Sequence, residues 1–135
     1  MIYQTTLDGI SAEMLTGFFQ DWGHKHPTPE KHRTLLEKSS YIVLAIDEKK
    51  NRVVGYTTAI SDGVLAAYIP FLEVLPAYKN KGIGKSLVSQ MLDQLSDHYM
   101  VDLCCDDDLV GYYEQFQMTR SNGMIVRHYS NQSGI

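Results

Sequence analysis

The residues best suited to chemistry stand together. Lys79, Asn80, Lys81, Gly82, Ile83, Gly84, Lys85 and Ser86 make a basic, glycine-containing loop directly before an amphipathic run. That run carries Leu87, Val88, Met91, Leu92 and Leu95, the i, i+3, i+4, i+7 rhythm of a helix lying on a sheet. A helix start leaves about four backbone N–H groups without internal partners, and the macrodipole adds positive potential there. Gly82 and Gly84 allow a ligand close to that backbone. Lys79, Lys81 and Lys85 add positive charge in a chain whose net charge is −4. The chemistry this predicts is the holding of an anion such as a pyrophosphate. The competing reading is a plain strand-to-helix turn with solvated lysines; three lysines in step with a good helix register favour the anion site.

Elements must position this loop, and most can be read along the chain. Ile2 to Leu7 predicts a first strand. Ser11 can cap a helix carrying Met14, Leu15, Phe18, Phe19 and Trp22 on one face, broken by Gly23-His24-Lys25-His26-Pro27. Thr28-Pro29-Glu30 starts a second helix with a cap, a first-turn proline and an early acid. Tyr41 to Ile46 is a continuous apolar run, as in a strand covered on both faces. Charged and glycine turns separate it from strands at Arg52 to Ile60 and Val64 to Val74. After the amphipathic helix come a strand from Tyr99 to Cys105, a short helix with Leu109, Tyr112, Tyr113 and Phe116 on one face, and a strand near Met124 to Tyr129.

Gly84-Lys85-Ser86 suggests a nucleotide-binding P-loop, but that motif needs a glycine where this chain has Lys79. Lys79-Asn80-Lys81-Gly82-Ile83-Gly84 instead resembles the acyl-CoA loop of the GNAT superfamily of N-acyltransferases, [Q/R]-x-x-G-x-[G/A], with Lys79 at the Gln/Arg position. Leu72-Glu73-Val74-Leu75-Pro76 resembles that family's fourth strand and its exit. The order of elements also resembles the family, most closely from about Tyr41 to Met118. The resemblance implies an α/β (α+β) architecture. Its central mixed, mostly antiparallel sheet is splayed between the fourth and fifth strands and flanked by about four helices, in one domain over residues 1–135. The C-terminal end is short for the family, so its sixth strand is expected to be vestigial.

The resemblance further implies that an amine attacks acyl-CoA, acetyl-CoA in the first instance, without an acyl-enzyme. The backbones of Leu72 and Val74 would pair with the pantetheine arm as a sheet edge pairs with a peptide. The Leu72 amide would act as a one-donor oxyanion site, worth about 3 kcal/mol. Tyr113 matches the tyrosine of the family pattern N-x-x-A-x-x-F-Y-x-K-x-G-F, which runs here from Asp106 to Met118 with only the aromatic pair well kept. In that role it protonates the departing thiolate; the competing reading is a packed core tyrosine. Glu73 is the carboxylate nearest the thioester site and the candidate base, although strand alternation separates it from Leu72. Tyr68, Asp62 or a water chain are the substitutes. The loop Trp22 to Pro27 would roof the acceptor site or simply be a surface loop, and Asp106-Asp107-Asp108 reads most simply as a helix cap.

Composition narrows the partners. With 12 basic and 16 acidic residues, the chain lacks the basic surface of a nucleic-acid binder. No segment approaches the ~20 apolar residues of a membrane helix, and Met1-Ile2-Tyr3-Gln4 does not start a signal peptide. Adjacent Cys104 and Cys105 point to opposite faces of a strand, so two buried thiols in a reducing cytoplasm are expected. His24-x-His26 lacks a third ligand at suitable spacing, so no metal site is expected. The partners implied are acetyl-CoA as co-substrate and a small-molecule or peptide amine as acceptor. The resemblance admits a homodimer. The alternative function is a non-catalytic acyl-CoA-binding regulator on the same fold, which would have kept the loop and lost the acid.

Overall fold

The computed structural model describes residues 1–134. One sheet holds five strands in the order of the chain: β1 (Ile2–Gln4), β2 (Tyr41–Asp47), β3 (Arg52–Ser61), β4 (Ala66–Val74) and β5 (Met100–Asp102). The first four are antiparallel neighbours, and β5 lies parallel to β4. A parallel pair needs a crossover, which α2 (Ile83–Gln94) provides. The sheet is mixed and mostly antiparallel, as expected.

Both faces of the sheet are covered. Ile42 to Ile46 are buried along β2, which accounts for their unbroken apolar run. On one face Ile83, Leu87, Val88, Met91 and Leu95 of the α2 segment are buried, the side chains their spacing selects. On the other lies α1 (Pro29–Lys38), whose start was expected at this position. The Lys31 N–H donates to the Thr28 side chain at 3.1 Å, and Pro29 occupies the first turn.

Several expectations are corrected. The helix beginning at Ser11 does not form: Ala12–Leu15 and Gln20–Trp22 are separate short 3-10 turns, and Ser11 makes no side-chain cap bond. Gly17 (φ 98°) and Phe19 (φ 64°) lie in the left-handed region, which an α-helix cannot contain. Met14, Leu15, Phe18 and Phe19 are nonetheless buried, so the apolar pattern is satisfied along a non-helical path. The strand expected over Tyr99 to Cys105 shrinks to Met100–Asp102, paired only with Ala66–Tyr68. The β3–β4 register shifts between Thr58 and Ile60, so β4 carries one extra residue at Ile69–Pro70, directly past its last pair with β5. Cys104 and Cys105 therefore lie past the strand, free and exposed rather than buried. The last strand, near Met124 to Tyr129, is absent. Met124 is 98 % exposed, and strand propensity without a partner ladder does not make a strand. The helices also differ from expectation: two long ones, and the single turn α3 (Val110–Glu114) preceded by a 3-10 turn at Asp107–Leu109.

Candidate active site

The end of β4 offers an unpaired main-chain edge. The Leu75 N–H donates to the Val54 carbonyl at 2.8 Å, and the Phe71 carbonyl accepts the Thr57 hydroxyl at 2.7 Å. Successive strand residues turn their polar groups to opposite sides. Residues 71, 73 and 75 therefore face β3, while Leu72 and Val74 turn theirs toward the side where β5 has already stopped. These free groups, together with the start of α2, fit an extended ligand that lies along the edge.

A cavity of about 390 Å³ opens at this divergence. Leu72, Glu73, Phe71 and Tyr56 form its sheet side. Phe19, Asp21 and Trp22 come from the first connection, and Cys104, Cys105, Asp106 and Tyr113 from the segment after β5. Glu73 stands directly across from Tyr56 in the β3–β4 register. Its carboxylate accepts the Phe19 N–H at 3.1 and 3.2 Å. Burial holds this carboxyl above its ordinary value. The Phe19 bond opposes that shift, and the neighbouring Asp21 charge adds to it. Alternation does put Glu73 and Leu72 on opposite faces, yet the cavity cuts across the strand edge and receives both.

The Tyr113 ring meets Tyr112 edge-on at 5.1 Å. Burial, with smaller contributions from Tyr112 and Cys105, pushes the Tyr113 phenol up to about 12. It therefore keeps its proton at any working pH, as a proton donor must. Tyr56 is 1 % exposed, and burial followed by the Glu73 charge pushes its phenol well upward too. Behind it, His32 is buried among Phe18, Phe19 and Tyr56 with neither ring nitrogen bonded, and burial lowers it to about 4.

The glycine loop lies outside the cavity wall, beside it. Gly82 (φ 82°) precedes α2, and the first helical bond runs from the Ser86 N–H to the Gly82 carbonyl. The N–H groups of Ile83, Gly84 and Lys85 stand outside the helical ladder. Lys79, Lys81 and Lys85 are exposed, and Lys81 sits 5.5 Å over the Tyr78 ring. Ile83 is buried in the core, so any role of its own is through its backbone. At Gly84 a Cβ would lie 3.0 Å from the Tyr112 hydroxyl. Tyr112 thus touches the loop on one side and Tyr113 on the other.

The structure brings Leu72, Glu73 and Tyr113 to one cavity, with Val74 and the loop Lys79–Ser86 further along the same edge. It does not bring the substitute bases there. Asp62 accepts the N–H groups of Val64, Leu65 and Ala66 in a turn, and Tyr68 is outside the cavity lining. Of the expected acceptor roof, Trp22 lines this cavity, while His26 lines a separate, smaller one. Asp106 makes no side-chain cap bond and faces the cavity instead; Asp107 pairs with Arg120 at 2.6 Å. Sequence reasoning missed Tyr56, Asp21 and the exposed thiols. Only the pairing register, which sets Tyr56 across from Glu73, could have pointed to the first.

Comparison with known proteins bears on the family and the fold. The profile of the Acetyltransferase (GNAT) family matches residues 7–117. A crystal structure from Deinococcus radiodurans R1, provisionally designated an acetyltransferase, superposes with TM-score 0.95 at 44 % identity, over 99 % of this chain and 92 % of that one. A GNAT-family acetyltransferase of Streptococcus pneumoniae TIGR4 gives TM-score 0.74 at 27 % identity, over 94 % and 97 %. The chloroplastic GCN5-related N-acetyltransferase 1 of Arabidopsis thaliana is 24 % identical over 70 % of this chain and 48 % of its own. The chain spans about half the length of the curated relatives it matches.

Proposed function

The chain belongs to the acetyltransferase (GNAT) family, and from that premise we propose that it transfers an acyl group, acetyl in the first instance, from acyl-CoA directly to a primary amine. One observation carries the reading: an unpaired strand edge, a half-buried carboxylate and a half-buried phenol meet around one cavity. The N–H groups at the start of α2, with Lys79, Lys81 and Lys85, hold the pyrophosphate; Asn80 and Gly82 shape the turn, each with positive φ. The edge groups of Leu72 and Val74 hold the pantetheine arm, and the Leu72 N–H bonds the thioester oxygen. Glu73 takes the proton from the attacking ammonium, and its upward shift brings it nearer the acidity that this task requires. A C–N bond forms, the C–S bond breaks, Tyr113 gives its proton to the leaving sulfur, and the second proton shed by the nitrogen restores the Tyr113 phenol.

The acceptor is a small-molecule or peptide amine. No helix among the described residues is long and apolar enough to cross a membrane. The free, exposed Cys104 and Cys105 suit the reducing cytoplasm that this reading expects. The test is purified protein with acetyl-CoA and a panel of amines, following free thiol. Amine-dependent thiol release is expected. Binding of acetyl-CoA without release would make the protein a regulator on this fold, and binding of ATP in its place would return the loop to nucleotide chemistry.

A further inference from the structure

The acceptor half of the cavity carries charge of one sign only. Its ionisable groups at neutral pH are the carboxylates of Asp21, Glu73 and Asp106, and no lysine or arginine lines it. Three acids alone would be an ordinary solvated surface. A second feature is independent of them: the Tyr56 side chain is 1 % exposed, its hydroxyl has no hydrogen-bond partner among the described residues, and it lines the cavity beside Glu73. A hydroxyl that reaches the cavity from a side chain otherwise buried is placed to bond what enters there. The rest of the wall on that side is aromatic. Phe19 and Trp22 meet edge-on at 4.9 Å, and Phe71 lies 6.1 Å from each.

Resting on the acetyl-transfer reading, we propose that the acceptor is a small alkylamine or arylalkylamine whose only charge is positive, with no carboxylate or phosphate. Its ammonium donates to the Glu73 carboxylate and to the Tyr56 oxygen, the two groups that face each other across β3 and β4. Its hydrocarbon part lies against Phe19, Trp22 and Phe71, where aromatic faces also favour a cation. Size follows from volume: about 390 Å³ must hold the thioester end and the acceptor together. An amino acid or a phosphorylated amino sugar would set its anion against Asp21, Glu73 or Asp106 with no cation among the lining residues to receive it, Lys79 and Arg127 both lying outside them, and like-charge contacts of that kind select against a ligand.

Trp22 lines the cavity and is the only tryptophan, so its fluorescence reports acceptor binding without need of turnover. Matched pairs isolate the anion: phenethylamine against phenylalanine, cadaverine against lysine, glucosamine against its 6-phosphate. In the presence of CoA, the member without the anion should bind about tenfold or more tightly, with kcat/KM in the same order. Asp21→Asn should narrow that ratio at low salt. Tyr56→Phe should weaken the amine several-fold and leave acetyl-CoA affinity unchanged. Equal or tighter binding of the carboxylated or phosphorylated members overturns the inference, even if the enzyme acetylates them well; transfer itself then stands. If acetyl-CoA does not bind and no amine releases thiol, the transfer reading falls and takes this acceptor assignment with it.

Discussion

Replacing Glu73 by Gln separates catalysis from architecture at the residue where both meet. The carboxylate has a structural task, accepting the N–H of Phe19, a residue held at φ 64°. A charge-assisted bond of that kind is worth about 1.5–3 kcal/mol. Left-handed backbone at a non-glycine residue costs roughly 1–2 kcal/mol. Glutamine keeps an oxygen for the Phe19 N–H and fills the same volume, so that bond survives in weaker form. Burial disfavours the carboxylate charge, as its raised titration records, and glutamine has no charge to desolvate. The two changes oppose each other, and stability should move by no more than about 1 kcal/mol.

The pH dependence has a definite sign. A carboxyl whose folded titration point is raised adds stability that is fully present below its unfolded value, near about 4.3, and is lost as pH rises through the folded value. The variant should therefore gain melting temperature relative to wild type on going from acid to neutral pH. Catalysis behaves differently. A positioned base contributes about 10²–10⁴-fold, which is about 3–5 kcal/mol of barrier. By thiol release, kcat/KM should fall by that factor, and the rising limb assigned to Glu73 should disappear. A wild-type rate in a folded Glu73→Gln protein refutes Glu73 as the base. A melting temperature that collapses at every pH shows that holding Phe19 is its only task.

The same reasoning reaches the other residues. Tyr113→Phe keeps the ring contacts to Tyr112 and Phe116, so folding and acetyl-CoA affinity should hold while kcat and kcat/KM fall together by about 10²–10⁴. With its phenol up at about 12, Tyr113 should give the wild-type pH profile no descending limb near 10; an unchanged rate in the variant places the acid elsewhere. Gly84→Val drives side-chain atoms into the Tyr112 hydroxyl, an overpacking of ~1–3 kcal/mol at the start of α2, and should abolish acetyl-CoA binding measured by calorimetry in a protein that still folds. Gly84→Ala should be milder, and partly rescued by Tyr112→Phe. Lys85→Ala should weaken CoA modestly and only at low ionic strength, since Lys85 is exposed and screened; unchanged affinity at low salt returns it to plain solvated surface.

What could be read ahead of the structure was whatever depends on neighbours in sequence. The run Tyr41 to Ile46, the Thr28-Pro29 helix start and the spacing of Leu87, Val88 and Met91 each state a local rule that the fold obeys. The segment from Ser11 to Trp22 obeys the same rule of spacing and yet is no helix, for a reason 54 residues away: the Phe19 N–H finds its acceptor on Glu73, so the backbone needs no helical partner there. The strand at Tyr99 stops early where its partner strand bulges, with one extra residue after Tyr68. That early stop turns Cys104 and Cys105 from expected core residues into cavity lining.

The site shows the same division one level up. Tyr113 and the glycine loop carry recognisable residue types at fixed spacing, whereas Tyr56 and Asp21 carry none. Tyr56 owes its place to register: Gly55 pairs with Val74, Tyr56 with Glu73, Thr57 with Leu72 and Thr58 with Phe71. That alternation puts the side chains of Tyr56, Glu73 and Phe71 on the face of Phe19 and Trp22, and leaves Leu72 and Val74 to present backbone at the free edge. A slip of one residue would exchange the two sets and send the carboxylate into the core beneath α2. The buried faces on both sides fix the register firmly, with Val53, Val54, Tyr56, Thr57, Thr58 and Ala59 all buried. The packing of the core is thus what decides which carboxylate reaches the amine, and a register-shifting change in β3 should damage activity without touching any residue of the cavity except Tyr56.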